Sequence, residues 1–205
     1  MCPSCVSLTN LKRCIISLYN ENTLTIADVT DKNNMEMIAR VPYENVYYTH
    51  QGWCSADHGF LFMDDEIDEL SGPIPNTRTL IWDISNLRNP VHASDFFSEK
   101  EVSDHNQYTH NGKLFQGNYK AGLRILDIGP QNPPVLTEVG FFDVYPESIG
   151  PKEPGFEGMW SSYPYFPSGI VVATSMERGL FILDVSAAVA KHPATAGNAS
   201  NTTSY

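Results

Sequence analysis

Positive charge is what this sequence lacks most. Its 13 Lys and Arg stand against 24 Asp and Glu, leaving a formal charge of -11. A nucleic-acid partner is therefore not expected, because that surface needs clustered cations to displace counterions. The same deficit weighs against an anionic membrane. Long apolar runs are missing too: none approaches the ~20 residues that cross a bilayer, so no transmembrane segment is expected. No sustained 3.6-residue period appears beyond one short turn at Ala187 to Lys191. Cysteine is scarce, at four. Cys2 and Cys5 form a lone CxxC with no second ligand pair, which leaves terminal thiols or a structural disulfide ahead of zinc. Residues 1–6 carry no basic head and apolar run, so a signal peptide is not expected in this chain. Serine-hydrolase elbow, P-loop, dinucleotide and HExxH signatures are all absent.

What is present is repetition. The strings Thr23–Thr30, Thr79–Ser85, Gly122–Gly129 and Gly179–Ser186 are each a β-branched apolar run carrying one Asp and ending at a turn residue. Their aspartates, Asp28, Asp83, Asp127 and Asp184, fall 55, 44 and 57 residues apart. Polar-aromatic, Gly-led and Pro- or Met-led strands recur around them. The unit is a four-stranded antiparallel blade of ~40–50 residues, and the fold class is an all-β propeller. About three and a half blades are expected, a partial propeller. The first unit reads as lacking its opening strands. We therefore expect residues 1–13 to be an upstream remnant, 14–186 the blades and 187–205 a disordered tail. Upstream blades or a second copy would then complete the ring. A group recurring once per blade does a per-blade job, so the four aspartates are read as turn-bonding residues.

The repeat, with Tyr48–Trp53, Phe62–Glu69, Asn118–Asp127 and Tyr163–Gly169, resembles the LVIVD-repeat propellers of the choice-of-anchor B family, also called regulatory P domain-containing proteins. The resemblance runs from about Cys14 to Asp184. It implies an exported, extracellular or cell-surface propeller, and it places Cys5 and Cys14 where that family often has a cysteine pair. A Cys5–Cys14 disulfide is thus an expectation from the resemblance. Two sequons, at Asn198 and Asn201, would matter in an exported chain.

Candidate site residues follow from blade geometry. The polar-aromatic strand is innermost, so His50, Gln51, Trp53, Asp104, His105, Asn106, Tyr108, Glu157 and Trp160 should converge at the channel mouth. His50 and His105 are equivalent positions on adjacent blades, and with Asp104 they suit a divalent transition metal. The acidic run is a second candidate: Asp64, Asp65, Glu66 and Asp68 offer hard oxygens for Ca²⁺. The plainer alternatives are a wet channel lining for the first set and a solvated acidic loop for the second. The function expected is a non-catalytic module binding a protein or glycan at the cell surface, with Tyr43, Tyr47 and Tyr145 as exposed contacts. The alternative is a metal-dependent enzyme with its site at the channel mouth.

Overall fold

The computed structural model describes residues 2–4, 7–8, 11–12, 15–146 and 149–191. β1 (Cys2–Ser4) is followed by a short hairpin of β2 (Ser7–Leu8) and β3 (Leu11–Lys12). It pairs with β4 (Ile15–Tyr19), which continues into β5 (Leu24–Asp28) and β6 (Glu36–Val41). The second sheet is β7 (Thr49–Cys54), β8 (Phe60–Asp65), β9 (Arg78–Asp83) and β10 (Val91–Phe97), with the four-residue helix α1 (Asp68–Ser71) between β8 and β9. The third is β11 (Asn106–His110), β12 (Lys113–Gly117), β13 (Leu123–Ile128) and β14 (Leu136–Phe142). The fourth has three strands, β15 (Met159–Tyr163), β16 (Ile170–Ser175) and β17 (Gly179–Asp184), and leads into α2 (Ser186–Lys191). The sheets follow one another as propeller blades, and the opening strands β7, β11 and β15 lie against their neighbours near the axis.

Two expectations change. The first blade has its opening strand, since Cys2–Ser4 pairs with Ile15–Ser17. Residues 187–191 are helical, with Ala188 packed beside Gly140 on β14. The Cys5–Cys14 pairing and the tail from 192, with its sequons, lie outside the described residues.

Strand alternation builds the cores. On β8, Leu61 and Met63 face the first blade and join Leu24, Ile26 and Trp82, while Phe62 faces the third and meets Leu114 and Leu126. On β12, Leu114 faces back and Phe115 forward, to Val171 and Ala173 of the fourth blade. Successive residues thus feed alternate inter-blade cores. That explains why β5 and β12 are buried at every position, whereas the rim strands β6, β10 and β14 mix exposed and half-buried positions. β17 has the same sequence pattern as β5, yet Leu180 is 62% and Ile182 71% exposed. No sheet among the described residues covers that face.

The recurrent aspartates act locally. Asp28 Oδ1 accepts from the Thr30 amide at 2.9 Å, Asp83 Oδ1 from Ser85 at 2.9 Å and Asp184 Oδ1 from Ser186 at 2.9 Å. Asp127 differs. Gly129 donates its amide to the Val135 carbonyl instead, and Asp127 pairs with Lys113 Nζ at 2.9 Å. Asp83→Ala is expected to cost about 1 kcal/mol in urea unfolding, the worth of one hydrogen bond at a turn.

Candidate functional site

The inner strands place a cluster of rings and carboxylates at one end of the axis. β7 carries His50, and His105 immediately precedes β11. Their Nδ1 atoms reach forward one blade each: His50 Nδ1 lies 2.9 Å from the His105 carbonyl, and His105 Nδ1 lies 2.7 Å from the Trp160 carbonyl. The 55-residue spacing of the histidines is thus repeated by the bonds they make. The rings form a ladder. Tyr48 stacks on His50 at 6.2 Å, His50 on His105 at 4.7 Å with 16° between planes, and His105 meets Trp160 at 4.5 Å.

Glu66 comes to this ladder from the end of β8. Its Oε2 lies 3.8 Å from His50 Nε2 and its Oε1 3.7 Å from His105 Nε2. Among the described residues, His50, Glu66 and His105 are the group of potential metal ligands whose donor atoms all lie within 4.8 Å of one another. The two sequence candidates therefore merge, with Glu66 of the acidic run taking the place foreseen for Asp104.

Asp104 is buried elsewhere, and Oδ1 receives no hydrogen bond from a described residue. Burial first, then the carboxyl of Glu69, hold its pKa well above the usual range. The acidic run is not a solvated loop either. Asp64, Asp65, Asp68 and Glu69 are all buried. Nor do its oxygens converge on one Ca²⁺. Asp64 accepts from the Gln51 amide at 2.8 Å. Asp65 is spent on the Tyr47 and Tyr48 amides and the Tyr43 hydroxyl, at 2.7, 2.6 and 2.7 Å. Asp68 turns to Arg78, 3.6 Å away.

The other predicted residues divide. Gln51 is a blade link: its Nε2 donates to the Gln107 carbonyl at 3.0 Å and its Oε1 accepts from the Gln107 amide at 2.9 Å. Asn106 Nδ2 donates to the Trp160 carbonyl at 2.8 Å. Trp53 and Tyr108 meet edge to face at 5.1 Å further along the inner strands, and Tyr108 bonds Ser161 Oγ at 3.0 Å. Glu157 is exposed and pairs with Lys120 Nζ at 3.3 Å. Tyr43 and Tyr145 are buried and leave Tyr47 the exposed member of that trio.

Sequence reasoning missed Tyr119. Its hydroxyl donates to Glu66 Oε1, and its ring lies 4.6 Å from His105. The signal was in the register. Gly117 pairs with Asn106, so the chain leaving β12 returns to the level of His105, as Glu66 leaving β8 returns to His50. Gly122, at φ +76, closes this turn where a Cβ would lie 2.3 Å from the Phe142 carbonyl.

The two imidazoles are electrostatically unequal. Burial opposes charge on His50, but Asp64, Glu66 and the His105 carbonyl overcome it and lift its pKa to about 9. Burial, then the His50 charge, push His105 down to about 4. Burial raises Asp64 to about 6, restrained by His50.

Comparison with known proteins gives the fold. No protein-family profile and no curated protein matches the chain. It is similar to a Lactobacillus plantarum protein of known structure, at 11% identity and TM-score 0.58, over 83% of this chain and 53% of that one. It is similar to a candidate 6-phosphogluconolactonase of Bacteroides fragilis, at 10% identity and TM-score 0.57, over 83% and 47%. The β-propeller domain of Cps50 (Swd1) from Myceliophteria thermophila matches at 11% identity and TM-score 0.50, over 84% and 57%. The chain is a β-propeller. It spans about half the length of these structures, and at such identity the likeness speaks of architecture alone.

Proposed function

We propose that this propeller is a non-catalytic binding module whose ligand is a glycan, seated at the axial end of the second, third and fourth blades and stacked on Trp160. The observation that carries this reading is the state of Trp160. It is 48% exposed although its ring is held against buried His105. Phe156, 40% exposed, stands edge-on to Tyr119 at 5.4 Å, and Tyr119 in turn lies 6.4 Å from Trp160. Large rings presented to water by a rigid support suit a partner with one apolar face and a polar edge, which a sugar ring has. Asn106 on the Trp160 carbonyl, and the Lys120–Glu157 pair, put hydrogen-bonding groups in the same region. The exported, cell-surface setting implied by the family resemblance supplies such ligands.

The test is a tryptophan-fluorescence titration with a panel of soluble mono- and oligosaccharides. Saturable binding by at least one sugar is expected, and Trp160→Ala should weaken it about tenfold or more, a loss of about 1.4 kcal/mol. Saturable binding of a protein partner with no response to any sugar would overturn the glycan reading. So would a Trp160→Ala variant that binds sugar as tightly as the parent.

A further inference from the structure

We propose that His50 Nε2, His105 Nε2 and the Glu66 carboxylate form a binding site for a divalent transition-metal ion of the Zn²⁺ type. The proposal stands on atoms other than those of the sugar reading, and either can fail alone.

The tautomers come first. Each Nδ1 faces a backbone carbonyl, at 2.9 Å for His50 and 2.7 Å for His105. A carbonyl oxygen can only accept, so His50 Nδ1 carries a proton, whereas His105 Nδ1 lies 2.7 Å from both the Trp160 carbonyl and the donating Asn106 Nδ2. In a neutral His50 ring the lone pair then sits on Nε2. Both Nε2 atoms face Glu66, at 3.8 and 3.7 Å. A backbone carbonyl behind the far nitrogen is the usual outer support of a metal-binding histidine, fixing both tautomer and ring direction. Tyr119 plays the same part for the carboxylate by donating to Glu66 Oε1.

The three donors surround one position, and His105 brings to it a side chain only 2% exposed.

Bonds of about 2.0–2.2 Å in a tetrahedron give donor–donor edges of about 3.3–3.6 Å. One donor atom from each residue lies within 4.8 Å of the others, and the 3.7 and 3.8 Å distances run to different oxygens of Glu66, so the three side chains must draw together around the ion. A metal also lies in the plane of the imidazole that binds it, so the two rings, now 16° apart, must swing open about their Nδ1···O=C contacts. Imidazole donors favour a transition ion over Ca²⁺. Three protein ligands leave a fourth position, and the side chain of His50, 25% exposed, marks the open side.

The swing gives the test a second readout. His105 lies against Trp160, so metal binding should change Trp160 emission. The experiment titrates the chelator-treated protein with Zn²⁺ and Co²⁺, by calorimetry, tryptophan emission and Co²⁺ visible absorption. One equivalent should bind, with the strong absorption of a four-coordinate Co²⁺ site. His50→Ala, His105→Ala and Glu66→Gln, each checked for folding by circular dichroism, should weaken binding at least a hundredfold. Tyr119→Phe should weaken it by about tenfold and keep the stoichiometry. Binding that survives in His50→Ala and His105→Ala would overturn the proposal, as would no binding by the folded parent at 100-fold excess of metal. Tight binding with six-coordinate Co²⁺ absorption and unchanged Trp160 emission would also count against it.

Discussion

Arg78→Met is expected to destabilise the protein by about 3–5 kcal/mol in urea unfolding, the usual cost of stripping one partner from a buried ion pair. Arg78 opens β9 and is 3% exposed. Its Nη2 lies 3.2 Å from Asp95 Oδ2, its Nη1 lies 3.6 Å from Asp68 Oδ2 and donates to the Glu44 carbonyl at 3.2 Å, and its guanidinium sits 5.8 Å from the Tyr43 ring centre. Methionine keeps most of the volume and removes the charge, so cavity formation is a minor part of the loss. The cost should grow with pH. Burial already lifts Asp68 to about 7, with Asp65 adding to it and Glu69 and Arg78 holding it down. Without Arg78 that pKa rises further. A carboxyl with a raised folded pKa loses stability as pH climbs above its unfolded value near 4, so the variant should be worse at pH 8 than at pH 5. Equal losses at the two pH values would contradict this account.

The blades were legible because strand burial is written in period two. Leu61, Phe62 and Met63 read as one apolar run, and only both faces of an inner strand packed against neighbouring sheets account for such a run. The equivalence of His50 and His105 was legible for the same reason: a repeat converts sequence spacing into a shared direction. The acidic run misled. Asp64 to Glu69 has the composition of a solvated loop, but β8 ends in the middle of the molecule, and the compensating groups are distant in sequence. Arg78 lies across the α1 turn, Tyr43 precedes β7, and Gln51 is on the neighbouring strand. Burial paid for by long-range partners leaves no local signature. Glu66 joined the histidines because the turn after β8 folds back over β7, which strand order alone did not predict. Tyr119 was hidden by its turn: a tyrosine at φ 32 is not foreseen from propensity.

Glu69→Gln should stabilise the protein at pH 8 by about 2–3 kcal/mol and leave it nearly unchanged at pH 5. The carboxyls of Glu69 and Asp68 are both buried, beside each other and Arg78. Burial, then the charge of Asp68 and the hydrogen bond between the two carboxyls, push Glu69 up to about 10. Glu69 therefore holds the proton and donates it to Asp68. Folding must keep that proton on a group that ionises near 4.5 in the unfolded chain. The stability so conferred is complete below about 4.5 and drains away as pH rises toward 10, by about 1.4 kcal/mol per pH unit at most. A glutamine amide donates to Asp68 in the same way and does not titrate. The measurement is urea unfolding of parent and variant across pH 5–9. Parallel curves would mean that Glu69 is ionised in the folded protein. The expected divergence would mean that Glu69 is neutral when folded, so that the formal -11 overstates the charge of the native propeller.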